Sequence, residues 1–167
     1  MTPVTPADSA PAFPIASSVT AQAERLVALI GTGQLTVFDS ATPGSLGQLR
    51  TVSGLGGQGL VGIDVRPADG LLYAVISDGS VVTIDPATGK ATPKSKLDTM
   101  LPAGVVATVD FNPVADRLRV IGSDGTNLRA NVDDGKVTKD GGLKFAETDG
   151  MKGKIPKVVA GAYTNSM

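Results

Sequence analysis

Two pairs of polar residues in this sequence have the types and spacing to do chemistry: Asp64 with Arg66, and Asp110 with Asn112. Side chains two apart on a strand face the same way. A ring of such groups at the mouth of a channel could bind a cation or a polar small molecule, or serve an enzyme. The competing reading is structural. Each carboxylate would accept backbone N–H bonds from a neighbouring turn and so fix packing. Because Asp64 and Asp110 occupy equivalent positions of a repeat, the structural reading is the stronger.

Missing residue types narrow the chemistry further. The 167 residues include no Cys and no His. There is then no disulfide, thiolate nucleophile, imidazole ligand or Ser-His-Asp triad. No catalytic motif replaces them, and the sequence calls for no cofactor. Asp78-Gly79, Asp124-Gly125, Asp133-Asp134-Gly135 and Asp140 invite a calcium reading, which is the weakest alternative here. Calcium takes about six to eight oxygens, and the alternating acids of an EF-hand loop are not present. These residues read as turns. Gly54–Gly62 resembles a phosphate loop only superficially, because no Gly-Lys-Ser/Thr follows. Lys90, Lys94 and Lys96 read as a solvated strand edge guarded against aggregation.

The elements that must position these residues recur. A shift of 46 places Asp64 on Asp110, Pro67 on Pro113, Leu72 on Leu118, Ser77-Asp78-Gly79 on Ser123-Asp124-Gly125, and Gly89-Lys90 on Gly135-Lys136. The opposite shift places Leu72, Ala74, Ile76 and Asp85 on Leu26, Ala28, Ile30 and Asp39. A fixed period of this size marks a repeat architecture. Each unit contains short runs of strand-forming residues separated by Asp-Gly turns. The complete unit at 58–98 reads as GLVGIDVRP, LLYAVIS, SVVTIDP and GKATPKSKL, with Pro93 suiting the last to an outer edge. A second complete unit spans 104–146, its third strand TNLRANV more polar than its counterparts, and a unit lacking its first strand spans about 25–55.

Four strands per unit predict an all-β fold, a β-propeller-like array of four-stranded antiparallel blades. A β-sandwich of about a dozen short strands is the structural competitor. With 21 Gly, 11 Pro and 41% hydrophobic residues, many tight turns and a packed core are both expected. A net charge of −1 gives no electrostatic case for nucleic acid. No apolar run approaches the about 18–20 residues of a membrane-spanning helix.

Residues 1–20 form a Pro/Ala/Ser-rich extended arm, either a loose tail or a segment that docks through Phe13 and Ile15. At the other end, a spare first strand is expected over 158–166, with Val158, Val159 and Tyr163 as its contact residues. This leaves an incomplete blade and an unattached strand. Closing them within one chain makes a ring of three, whereas known propellers have roughly four to eight blades. Two chains exchanging Val158–Thr164 would make six blades. The alternative is that the sequence is part of a longer single-chain propeller.

Five stretches, LVALIGTGQLTVFDSATPGSLG, GLVGIDVRPADGLLYAV, DGSVVTIDPATGKAT, FNPVADRLRVIGSDGTNLRANVDDG and VVAGAYTNS, resemble successive motifs of the uncharacterised bacterial family DUF4394. The resemblance spans about residues 25–166. It implies a propeller-like β fold and a secreted or cell-envelope location, and no known activity. Members usually continue past AYTNS and many carry an export signal, and neither feature is visible in this sequence.

The expected function is therefore that of a non-enzymatic interaction or scaffold module. It would be a periplasmic or extracellular accessory subunit, docking on itself by C-terminal strand exchange or on a larger envelope assembly.

Overall fold

The structure, a computed structural model, describes residues 23–164. It is all-β: eleven strands in three antiparallel sheets, with no helix among the described residues. Sheet 1 comprises β1 (Arg25–Ile30), β2 (Gln34–Asp39) and β3 (Arg50–Thr51). Sheet 2 comprises β4 (Leu60–Val65), β5 (Leu72–Ile76), β6 (Ser80–Ile84) and β7 (Ala91–Lys96). Sheet 3 comprises β8 (Ala107–Asn112), β9 (Arg117–Gly122), β10 (Asn127–Ala130) and β11 (Val137–Lys139). In every sheet the strands follow chain order.

The 46-residue period is carried into the ladders. Leu26 stands opposite Phe38, Leu72 opposite Ile84 and Leu118 opposite Ala130, each pair one period from the last. Asp64 likewise faces Tyr73 as Asp110 faces Arg119. Register is fixed by which side chains must be buried, since a one-residue slip would turn every side chain to the other face.

Sheet 2 is the wall between two cores. All five residues of β5 are buried, and they alternate. Leu72, Ala74 and Ile76 pack with Val82 and Ile84 against Leu35 and Val52 of the sheet 1 side. Tyr73, Val75 and Val81 pack against Val109, Phe111, Leu118, Val120 and Leu128 of sheet 3. Tyr73 meets Phe111 edge to face, with ring centroids 5.4 Å apart. Burial of each large aliphatic side chain stabilises by about 1.5–3 kcal/mol, so these two layers hold the sheets in sequence.

Backbone contacts repeat across the two sheet junctions. The segment leaving sheet 1 pairs with the turn before β7: Ser53 N–H donates to the Gly89 carbonyl (2.9 Å) and Ala91 N–H to the Ser53 carbonyl (3.1 Å). The segment leaving sheet 2 makes a related pair of contacts with the counterparts of Gly89 and Ala91, where Asp98 N–H donates to the Gly135 carbonyl (3.0 Å) and Val137 N–H to the Asp98 carboxylate (3.2 Å). Gly89 and Gly135 both have positive φ, 75° and 76°. A Cβ on Gly135 would fall on the Lys96 carbonyl oxygen, and one on Gly89 would lie 2.7 Å from that of Thr51.

Several strands are shorter than the sequence suggests. β3 is limited to Arg50–Thr51 and β11 to Val137–Lys139, where Gly141-Gly142 ends any regular run. The spare first strand expected over 158–166 is not a strand in its described part: residues 158–164 form no ladder. A strand exists only by pairing, and no described strand forms a backbone ladder with this segment. Phe13 and Ile15 lie outside the described residues. Gly54–Gly59 is the turn-rich link from sheet 1 to β4, with Gly54, Gly56 and Gly57 all at positive φ.

The two positive-φ glycines with and without crowded surroundings can be separated experimentally. Gly31→Ala, at φ 60° with nothing within 4 Å of the new Cβ, is expected to cost about 1 kcal/mol in chemical denaturation. Gly135→Ala meets backbone as well, and is expected to cost at least about twice that. Equal losses would show that the sheet 2–sheet 3 junction is not packed this tightly.

Candidate functional site

Asp64 lies in β4 and Asp110 in β8, the first strands of their sheets, which run side by side. Gly62 allows this approach, because a Cβ there would lie 2.6 Å from Val109 Cγ2. The Asp64 carboxylate accepts the N–H of Phe111 on β8 at 2.7 Å. The Asp110 carboxylate accepts the N–H of Tyr163 at 2.5 Å. Thr108 Oγ1 also donates to the Gly161 carbonyl at 3.4 Å. The segment around 161–163 therefore lies against β8 much as β8 lies against β4. Burial pushes the Asp110 carboxyl above the ordinary carboxylate range; the Tyr163 N–H opposes this and the neighbouring Asp64 adds to it.

Arg66 does something different. It follows the last residue of β4, so strand alternation no longer dictates its direction, and its side chain is buried between sheets 2 and 3 at 8% exposure. Its Nε and Nη2 donate to Asp116 at 2.8 and 2.6 Å. Nη1 and Nη2 donate to Asp133 at 3.1 and 2.8 Å, and Nη1 to the Tyr73 hydroxyl at 3.3 Å. The guanidinium also stands 5.7 Å from the Tyr73 ring centroid. Lys94 reaches Asp133 from β7 at 2.9 Å. The two carboxylates raise the Arg66 pKa, Asp116 more than Asp133. In return, Arg66 and then Lys94 draw Asp133 down to about 2, and Arg66 holds Asp116 below the usual carboxylate range. One arginine thus ties two turns of sheet 3 to sheet 2 with paired hydrogen bonds.

Asn112, one period on from Arg66, caps its own turn: its Oδ1 accepts the N–H groups of Val114 and Ala115, each at 2.9 Å. The four polar residues picked out as a channel mouth therefore split. Asp64 and Asp110 meet each other and link adjacent segments, Arg66 bridges sheets, and Asn112 shapes a loop.

The remaining aspartates are occupied by their own turns or by cations. Asp78 accepts the Ser80 N–H and hydroxyl, and Asp124 those of Thr126. Asp134 accepts the Lys136 N–H, and Asp140 joins Arg119 and Arg129. Among the described residues no group of three or more His, Cys, Asp or Glu is arranged to hold a metal ion. Lys94 and Lys96 are not a bare basic edge, since they pair with Asp133 and Asp78.

Two groups carry more of the arrangement than sequence spacing indicates. Asp116 has φ 49°, the one non-glycine with positive φ among the described residues, and stands one period from Gly70. Aspartate is among the few non-glycine residues that tolerate this conformation, so Asp116 can keep the turn of its glycine counterpart while adding a carboxylate for Arg66. Arg119 replaces the counterpart Tyr73 and donates to Asp140 (2.5 Å), Asn127 (2.8 Å) and the Tyr163 hydroxyl (3.1 Å). With Thr108, Asp110, Ile121 and Tyr163 it lines a cleft of about 150 Å³ beneath residues 161–163.

A family model described as Domain of unknown function (DUF4394) matches residues 34–167. No curated protein matches the chain. No helix among the described residues is long and apolar enough to cross a membrane.

Arg66→Met is expected to destabilise by about 2–4 kcal/mol, below a fully buried pair because water reaches both carboxylates. The acid response gives a second readout. Asp116 and Asp133 have folded pKa values below their unfolded ones, so their contribution is present above about pH 4 and lost as pH falls towards 2. Denaturation midpoints measured across that window should fall steeply for the parent and less for Arg66→Met. Parallel curves would contradict the bridging role.

Proposed function

The chain belongs to the DUF4394 family, and from that premise we propose that it is a non-enzymatic interaction module built as a propeller-like array. It works as an accessory subunit outside the cytoplasm, docking on a protein assembly through strand addition. One observation carries this reading: β1 of sheet 1 has β2 as its sole hydrogen-bonded neighbour among the described strands, although its counterparts β5 and β9 are each flanked on both sides. An unpaired strand edge is a template for another strand. Leu26 and Ile30 of β1 are exposed at 38% and 41%, whereas their counterparts Leu72 and Ile76 are buried.

The repeated registers and the side-by-side first strands support the propeller-like description over a sandwich. The location rests on the family resemblance. The rival reading, a ligand site or enzyme at Asp64, Arg66, Asp110 and Asn112, is weakened because each of these groups is engaged by the protein itself. Asp64→Asn with Asp110→Asn separates the two: loss of stability alone is expected if these carboxylates serve packing, and loss of a ligand signal with unchanged melting would favour the site.

Docking itself is tested with a labelled peptide copying residues 104–113, the natural first-strand sequence, titrated by fluorescence polarisation against the chain at nanomolar concentration. Saturable binding that is lost in Leu26→Lys/Ile30→Lys, with melting unchanged, is the expected result. Absence of saturable binding would overturn the open-edge reading.

A further inference from the structure

Among the described strands β1 has only β2 beside it, whereas its counterparts β5 and β9 are each paired with a first strand, β4 and β8. The effect reaches the junction of sheets 1 and 2. Val65 of β4 is exposed at 46%, although its counterpart Phe111 is buried at 2%. Val65 lines a cleft of about 400 Å³ with Val27, Gly70, Leu71 and Leu72. At the next junction the same place is filled. Tyr73 stands for Val27, Phe111 for Val65 and Asp116 for Gly70, and the Arg66 guanidinium enters from the end of β4 to meet Asp116 and Asp133.

Both complete sheets give one register for a strand on the β1 edge. Val65, Asp64, Ile63 and Gly62 face Leu72, Tyr73, Ala74 and Val75. Phe111, Asp110, Val109 and Thr108 face Leu118, Arg119, Val120 and Ile121. Carried back by one period or by two, each set puts Val19 opposite Leu26, Ser18 opposite Val27, Ser17 opposite Ala28 and Ala16 opposite Leu29. The connection from Thr20 to Arg25 then has the length of the turn from Arg66 to Leu71.

The chemistry of the cleft agrees with this register. Thr20 takes the position of Arg66, and Gly70 and Ala87 take those of Asp116 and Asp133. The cation and both of its carboxylates are therefore absent together, so the small uncharged Thr20 suits the first junction as Arg66 suits the second. Val19 repeats Val65, and Ala16 stands where Gly62 lets adjacent first strands approach.

We propose that residues 14–20, which precede the described residues, occupy the β1 edge of their own chain, and that a docking strand must displace them. This rests on the docking reading above and supplies its regulation. The pairing lies within residues 14–30, so its register is independent of whatever precedes or follows the chain. Val19 comes to lie beside Leu26 on the outer face, and Thr20 enters the cleft. Ser17 and Ser18 bury little apolar surface, so backbone pairing holds the arm and a partner strand with larger side chains replaces it. A strand tethered by so short a turn competes at an effective concentration on the order of millimolar.

The full chain provides the test. Arg66 N–H donates to the Leu71 carbonyl, and antiparallel bonds alternate, so the Ser18 N–H is among those turned towards β1. Ser18→Pro removes it and should tighten binding of the labelled 104–113 peptide at least about tenfold over the parent, whereas Ser18→Ala keeps the N–H and should change it far less. Because the sequence has no Cys, Ser17→Cys/Ala28→Cys should oxidise to a disulfide within one chain, whereas Ser18→Cys/Ala28→Cys, on opposite faces, should not. Unchanged peptide affinity in Ser18→Pro, or equal cross-linking in the two registers, would overturn the arm's placement and leave the docking reading intact. Peptide binding absent from both the parent and Ser18→Pro would overturn the docking reading, and the displacement with it.

Discussion

A carboxylate in the first strand of one unit needs a donor, and the donor is a backbone N–H of the next unit's first segment. This link occurs twice, from Asp64 to Phe111 and from Asp110 to Tyr163. It sets the spacing and order of the elements on which everything else is hung. A buried hydrogen bond to a charged group contributes about 1.5–3 kcal/mol, which applies more to the part-buried Phe111 link than to the exposed Tyr163 one. The arrangement also buries Asp110 beside Asp64, and burial first, with Asp64 adding to it, lifts the Asp110 pKa. Ala162, next to Tyr163 as Asp110 is next to Phe111, carries no carboxylate to repeat the link.

Around this line the two junctions are secured in unlike ways. Between sheets 1 and 2 the contact is apolar, centred on Leu35, Val52, Leu72 and Ile84. Between sheets 2 and 3 a similar apolar layer is supplemented by Arg66 with Asp116 and Asp133. The third position in the series, the outer face of sheet 3, replaces Tyr73 by Arg119 and Thr83 by Arg129 and is polar. A repeat thus keeps its backbone geometry while each junction acquires its own chemistry.

The architecture was legible because it is written in periodic features. Leu72, Leu118 and Leu26 recur at one period, and so do their cross-strand partners. Asp78-Gly79 and Asp124-Gly125 could be placed in turns because positive φ at glycine and Asx capping are local effects. The Arg66 bridge was not legible, since it depends on where a side chain goes after the strand has ended and on two turns 50 and 67 residues away. Pairing Arg66 with Asn112 by repeat position misled for the same reason: equivalence of backbone position does not imply equivalence of partner. The tail reads as a first strand by its likeness to residues 105–113, yet residues 158–164 form no ladder, because a strand depends on a neighbour that local sequence does not describe.

Amide hydrogen exchange at Tyr163 tests most directly whether the carboxylate links order this molecule. The account predicts a protected Tyr163 amide that stays protected in Asp110→Asn, which keeps the acceptor oxygen, and becomes exposed in Asp110→Ala, with Phe111 protected in all three. A Tyr163 amide exchanging at the rate of an unstructured peptide in the parent chain would contradict it.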